Sequence, residues 1–425
     1  MTPSPASFLA ALDRDAALWT DFLALCDFGG RLAGTPAEAR AQAWCGARLD
    51  AVSPPQRARR EPTAYAGWTC HAAELVDAAS GTRLDAVPLL GTASTPAEGL
   101  EFAVLDLGRG TPEQIARAGA AVRGQAVLVE HEYPFASSTV HRRVKLAAAQ
   151  EAGAAAFLIA QPEPGVGPVS GSSGRGGGPG IPALGISAEA AAVLRRGGAR
   201  VRLRVAGEDK PGLQTQALVL DLPGSGPERV VVSAHIDGHP LAESAIDNAT
   251  GVATALALAR AAAPFVPQLT RGLTVCIFSA EEWALQGSRA WVAQLDADSR
   301  ARIRLNLNLD SLAGSDRLTA LTSGFPSLGP FLQRAAAAAG HALGVHLPLM
   351  PNSDHANFAA AGIPAARLLA GFDEPGSSLR LLLTPGDTRA LVRQDTLRQA
   401  CRCAGSLLWA ALSAGSEELA GLARR

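Results

Sequence analysis

Apolar positions between residues 7 and 50 recur at helical spacing on either side of a break at 28–36, where Gly29, Gly30, Gly34 and Pro36 interrupt the period, so this stretch predicts helix, loop, helix. From about 65 to 205 the pattern changes. Short β-rich runs at 102–107 and 125–129 alternate with turns and one helix over about 138–153, which marks a separate module. Within it, 166–180 is rich in Gly, Ser and Pro without any period and is expected to be a flexible loop rather than a linker between domains. After Pro211, strand-length apolar runs alternate with amphipathic stripes. The strands are expected at 230–234, 273–278, 303–309 and 365–369, and the helices at 250–263, 287–295, 327–340 and 389–413. Such alternation predicts an α/β fold, a mixed and mostly parallel sheet sandwiched by helices, with a β-rich domain inserted in it. The expected boundaries are 1–64 and 206–425 for the α/β domain and 65–205 for the insertion.

Composition narrows the function classes. A chain of 425 residues is long for one core, and 48% hydrophobic against 18% charged residues gives ample material for two. The net charge of −1, with basic residues scattered along the chain, offers no field for nucleic acid or for an anionic membrane. No uncharged apolar run is long enough to span a bilayer. Residues 1–25 carry Asp13, Asp15 and Asp21 instead of a basic start and an apolar core, so no signal peptide is read and the expected location is cytoplasmic. Cys26, Cys45, Cys70, Cys276, Cys401 and Cys403 lack the density of a disulfide framework and are expected to be free thiols.

The candidate chemistry lies at the ends of the predicted strands, where α/β proteins place their sites. Ala234-His-Ile-Asp-Gly238 closes the first, and Ala245-Ile-Asp-Asn-Ala-Thr-Gly251 opens the helix that follows. An imidazole and a carboxylate are both good zinc ligands, which suggests His235 and Asp247, with the Asp237 carboxylate reaching behind the imidazole to fix its tautomer. Alone, a His-x-Asp triplet is usually structural. The next strand ends in Ser279-Ala-Glu-Glu-Trp283. Adjacent carboxylates there divide the labour of metal-assisted hydrolysis: Glu281 as general base, Glu282 as ligand. A third strand delivers Asp310, and His239, His346 and His355 lie nearby in sequence.

Taken together, His235-x-Asp237, Asp247-Asn248, Glu281-Glu282 with Gly287-Ser288, Asn308-Leu-Asp310, and Ser353-Asp-His-x-x-Phe358 with Gly362-Ile-Pro364 resemble the successive motifs of the M28 family of zinc aminopeptidases. Arg31-Leu-Ala-Gly-Thr-Pro36 is similar to that family's N-terminal loop. The resemblance implies that Asp247 bridges two zinc ions, that His235 and Asp310 complete one site, that Glu282 serves the other, and that Glu281 is the base. It also exposes a departure. The family closes the second site with a His, where this chain reads Leu383-Thr-Pro-Gly-Asp-Thr388. The expectation is therefore one firmly held zinc and a second that is weak or absent, with His239 the preferred substitute ligand and His355 a pocket residue. Gly124-Gln-Ala-Val-Leu-Val129, Lys145 to Ala154, Ala156-Phe-Leu-Ile-Ala160 and Gly180-Ile-Pro-Ala-Leu-Gly-Ile186 resemble a protease-associated (PA) domain. The function so implied is hydrolysis of an amide bond in a peptide or small amide, most simply release of an N-terminal amino acid. The alternatives are a catalytically impaired binding protein on the same scaffold and an amidohydrolase or cyclase acting on a small amide.

Overall fold

The apolar runs of the second half of the chain lie side by side in one sheet. A computed structural model describes residues 3–175 and 177–423. Its larger unit comprises Met1–Ala64, Gln214–Leu379 and Thr388–Arg425. Across its sheet the strands run Leu343–His346, Leu318–Leu321, Ala365–Ala370, Ile303–Leu309, Arg229–His235, Gly272–Phe278 and the C-terminal end of Arg200–Leu222. Four of these six pairings are parallel, so the sheet is mixed and mostly parallel, as its sequence pattern implies. Every residue of Gly272–Phe278 and of Ala365–Ala370 is buried. Helices cover both faces of such strands, which is why they read as mainly apolar runs rather than alternating ones.

The helix Thr250–Ala262 is likewise buried all round except for Arg260. It packs against the N-terminal helices and the long Gln394–Ser413 helix. Phe8 stacks on Trp409 with ring centroids 5.3 Å apart. Gly405 allows the close crossing there, since a Cβ at that position would meet Leu12 Cδ1 at 2.2 Å. The N-terminal stretch holds three helices, Pro5–Asp13, Ala17–Asp27 and Pro36–Asp50, where the apolar period predicts two. The extra break is made by Asp15, whose carboxylate accepts from Ala17 N (2.8 Å) and pairs with Arg260 (2.8 Å), a partner distant in sequence.

The smaller unit comprises Tyr65–Leu213 and Arg380–Asp387. Its central strands Leu100–Asp106, Ala126–Glu130, Ala156–Ala160 and Ala183–Ile186 pair in parallel. The helix Arg142–Glu151 contributes Leu146 and Ala149 to a core with Val127, Val129, Phe157 and Ile159. Two long strands, Arg59–Asp77 and Arg200–Leu222, are not visible in the apolar pattern, because exposed residues such as Arg202, Arg204 and Glu208 break it. Between 166 and 180 the described residues carry no helix or strand, and Gly176 lies outside them. Yet Val169, Ser170 and Gly171 are buried, with backbone bonds tying Gly171 and Ser173 to Leu90, so this part of the loop is pinned.

Residues 380–387, grouped with the α/β domain by motif order, pack with the smaller unit instead. Leu383 lies against that unit's apolar core, its carbonyl accepts from Ser170 N (2.7 Å), and Arg380 pairs with Glu163 (3.1 Å). Leu383 holds φ +63°, a conformation that a branched side chain seldom adopts. Among the described residues no helix is long and apolar enough to cross a membrane.

Candidate metal centre

Parallel neighbours deliver their C-terminal ends to one edge of the sheet. His235 is the last residue of Arg229–His235 and sits in register with Phe278, while Asp310 directly follows Ile303–Leu309. Three segments therefore leave the sheet together: 236–250 after the first strand, 279–285 after the second, and 310–314 after the third.

Buried side chains fix each segment. Arg31, fully buried, donates to the carbonyls of Leu25, Gly29, Ile236, Glu243 and Ser244 at 2.7–3.1 Å, which sets the course of the chain between His235 and Asp247. Beyond Asp247, the Asn248 side chain donates to Leu309 O (2.9 Å) and accepts from Gly251 N (2.9 Å) and Ser311 N (3.3 Å). The segments bearing Asp247 and Asp310 are thereby tied to each other. Glu38 accepts from Ser279 Oγ (2.8 Å) and Thr215 Oγ1 (2.6 Å), steadying the approach to Glu281; burial raises its carboxyl above the usual range.

At the centre, His235 Nε2 lies 3.2 Å from Asp247 Oδ1 and 3.6 Å from Asp310 Oδ1. Ligand atoms of His235, Glu281 and Asp310 all fall within 4.8 Å of one another. His235 is 1% exposed, and its Nε2 has no hydrogen-bond partner. These separations suit a tetrahedral zinc ion, around which ligand atoms at bond lengths of about 2.0–2.1 Å stand roughly 3.3–3.4 Å apart. The donor set therefore fits the metal.

Asp237 does more than its spacing suggests. The imidazole Nδ1 is 3.0 Å from the backbone carbonyl of Asp237, whereas the nearer carboxylate oxygen is 3.7 Å away. The carboxylate instead accepts from Glu281 N (3.2 Å) and Glu282 N (3.1 Å), anchoring both acidic residues. Glu282 is buried beside Glu281. His239 is buried, with Nδ1 accepting from Leu241 N (3.3 Å), and His346 lies against the Phe372 ring. Among the described residues, neither His239 nor His355 belongs to the group with clustered ligand atoms.

Charge is concentrated here. Burial opposes protonation of His235, but Glu281, Asp310 and the other acids outweigh it and raise its pKa well above the ordinary value. Burial also lifts Glu281 well above the usual carboxylate range, against the pull of His235 and with Glu282, Asp354 and Asp310 adding to the rise. Asp310 goes the other way: burial is overcome by Arg367 and His235, which hold it well below.

Three participants carried little signal in the sequence. Asp354 is fully buried, and burial moves it up to about 7 in spite of His235. It directly follows Ser353, where a polar ladder ends in which Asn306 donates to Ser233 (2.9 Å), Ser233 to Asn308 (2.8 Å) and Asn308 to Ser353 (2.7 Å). His355, next to it, is lowered to about 3 by burial and by Arg367, and so is neutral. Arg367, 1% exposed, reaches Asp310 Oδ2 at 3.0 Å. Only the Ser-Asp-His triplet and an Arg inside an apolar run hinted at these.

Comparison with known proteins agrees with this geometry. Residues 217–402 match the model of peptidase family M28, and residues 84–194 match that of the PA domain. Most of the larger unit's sheet thus lies in a segment similar to peptidase family M28. The chain is 30% identical over 157 residues to leupeptin-inactivating enzyme 1 of Streptomyces exfoliatus, covering 37% of this chain and 36% of that one. It is 29% identical over 191 residues to aminopeptidase YwaD of Bacillus subtilis, covering 44% and 41%. The matched stretches thus span only 33–41% of the length of the curated relatives. Among solved structures, a zinc aminopeptidase from Bacillus subtilis superposes with a TM-score of 0.74 at 22% identity, over 93% of this chain and 95% of that one. A peptidase M28 precursor from Shewanella amazonensis gives 0.79 at 20% identity, over 96% of each. At such identities the likeness speaks for the M28 and PA folds themselves.

Proposed function

We propose that this protein is a zinc-dependent hydrolase of amide bonds of the M28 type, acting as an aminopeptidase that releases N-terminal residues from peptides. One observation carries the reading: His235 Nε2, without a hydrogen-bond partner, faces the carboxylates of Asp247 and Asp310 at 3.2 and 3.6 Å, with Glu281 beside them. His235, Asp247 and Asp310 would hold the ion, leaving a fourth position open. Zinc bound there supplies Lewis acidity to the scissile carbonyl and to the attacking water. Glu281 takes the proton of that water and passes it to the leaving amine, a task suited to a carboxylate whose proton affinity is raised. Asp237 keeps Glu281 and Glu282 in place through their backbone N–H groups.

A second ion would be left with Asp247 and Glu282, because Leu383 offers no donor atom; we therefore assign one firmly held zinc per chain. The names of the matched relatives, aminopeptidases among them, support the substrate class. No disulfide joins the six cysteines and five of them are buried, which favours a cytoplasmic location. The deciding experiment is Glu281→Gln. Hydrolysis of aminoacyl amides should fall by about 10²–10⁴-fold while zinc content stays near wild type. Undiminished activity would remove Glu281 from its role, and a protein that takes up no zinc would end the reading.

A further inference from the structure

Arg367 is the third residue of the strand Ala365–Ala370, whose other members are all buried Ala or Leu. A guanidinium in an apolar strand is expensive to bury unless its hydrogen bonds are met and its charge is opposed. Its charge is opposed, and both terminal nitrogens are bonded. Nη1 donates to Asn352 O (3.0 Å), and Nη2 donates to Ser311 Oγ (3.3 Å) and pairs with Asp310 Oδ2 (3.0 Å). The strand register places Arg367 opposite Asn308, two residues before Asp310, so the side chain is aimed at the site by the sheet itself.

Asp310 is therefore shared. One oxygen belongs to Arg367, while the other faces His235 and accepts from Ser311 Oγ (3.0 Å). Around them stand Asp237, Asp247, Glu281, Glu282 and Asp354, of which Asp237, Glu282 and Asp354 are buried. A site with two zinc ions would set four positive charges against such a group of acids. A site with one sets two, and some of the deficit must be met from the protein.

We infer that Arg367 is a positioning residue that serves as a built-in cation for this cluster, replacing part of the charge of a second metal ion and competing with the bound ion for Asp310. The inference rests on the proposed single-zinc site. It separates from a purely structural role by the sign of one effect. A pin that merely holds Asp310 in place weakens zinc binding when removed, as loss of a ligand's supporting partner usually does. A competing cation strengthens zinc binding when removed, because repulsion between a unit charge and a divalent ion across one carboxylate is relieved, an interaction that is large against RT even at an effective dielectric constant of about 20.

The test uses the full chain with Arg367→Met and Arg367→Lys. Zinc affinity is read by competition with a chromogenic chelator, and thermal melts are run with and without zinc. Arg367→Met is expected to bind zinc roughly tenfold or more tightly than wild type, and its zinc-induced rise in Tm should exceed that of wild type by about 3–6 °C. Arg367→Lys, which keeps the charge, should stay within about threefold of wild-type affinity. Folding of Arg367→Met only when zinc is present would be the same result in stronger form. Unchanged or weaker zinc binding in Arg367→Met, with equal losses of Tm in both states, overturns the inference. If that variant folds in neither state, a change of about tenfold in either direction for Arg367→Lys overturns it too. Failure of wild type to take up zinc is a separate outcome, which overturns the metal-site reading and this inference with it.

Discussion

Asp237→Asn separates the two jobs that a carboxylate beside a metal-binding imidazole can do. The wild-type carboxylate is fully buried and accepts two backbone hydrogen bonds, from Glu281 N at 3.2 Å and Glu282 N at 3.1 Å. An Asn of the same shape presents one carbonyl oxygen and one NH2, so one backbone N–H keeps a neutral acceptor and the other meets a donor. The bond that turns neutral loses about 1 kcal/mol of its charge-assisted strength, and the buried donor left unmet costs about 1–3 kcal/mol. The sum, roughly 2–4 kcal/mol once the surviving neutral bond is credited, corresponds to a fall in Tm of about 4–16 °C for a unit of this size. Displacement of Glu281 by about 1 Å should lower kcat on the order of 10²-fold. Zinc affinity should nevertheless change only a few-fold, because His235 Nδ1 is 3.0 Å from the backbone carbonyl of residue 237, a group the substitution leaves in place. The assays are differential scanning fluorimetry, steady-state hydrolysis of an aminoacyl-p-nitroanilide and chelator competition. Wild-type kcat with an unchanged Tm would refute the anchoring role. A loss of zinc affinity beyond about tenfold would mean that the carboxylate, not the carbonyl, orients the imidazole.

Three further outcomes follow from the same structure. Lys145→Met in the smaller unit removes a fully buried ammonium that pairs with Glu132 (2.6 Å) and donates to the carbonyls of Arg109 (2.6 Å) and Glu130 (2.9 Å), and urea unfolding should show a loss of about 3–5 kcal/mol. Burial favours the neutral acid at Glu132, but Arg109 and Lys145 outweigh it and hold the pKa below 4.5, so its stabilisation is complete above about pH 4.5 and disappears as pH falls through the depressed value; in the Lys145→Met protein the acid-induced drop in Tm should be smaller. Gly251→Ala places a Cβ 2.2 Å from Leu309 O and 2.3 Å from Asn248 Oδ1, forcing apart the segments that bear Asp247 and Asp310; a loss of about 1–3 kcal/mol together with reduced zinc content is expected in melts and elemental analysis, and full zinc content would show that the segments adjust. Chelation should abolish hydrolysis, and titration back should reach full activity at one zinc equivalent, with a break at two contradicting the single-ion assignment.

How far the sequence could be read depended on whether a residue's partner lies on its own element. Gly272–Phe278 was legible because burial on both faces favours a mainly apolar run, Ile303–Leu309 because its apolar residues alternate, and the residues gathered about His235 because parallel strands end at one edge. Arg59–Asp77 and Arg200–Leu222 were not, since strands with much of their length exposed are defined by pairing rather than by composition. The turn at Asp15 depends on Arg260, and the roles of Asp237 and Arg367 depend on backbone and carboxylate groups 44 to 57 positions away in the chain, separations no local pattern encodes.

Leu383 and Arg367 show what such distant partners do to a motif. At 383 the sequence reports only that a ligand is missing; the structure adds that the side chain has become part of the smaller unit's core, with its carbonyl bonded to Ser170. A His there would set an imidazole against that apolar core, so a Leu383→His reversion is expected to carry a cost of its own. A carboxylate cluster that has lost a cation cannot simply remain as it was, because buried like charges raise one another's proton affinity until some of them are neutral. Asp310 escapes that fate with the Arg367 guanidinium and the His235 imidazole beside it, and the buried Asp354 does not. The charge on Arg367 is on this argument the protein's own contribution to a carboxylate cluster left short of positive charge.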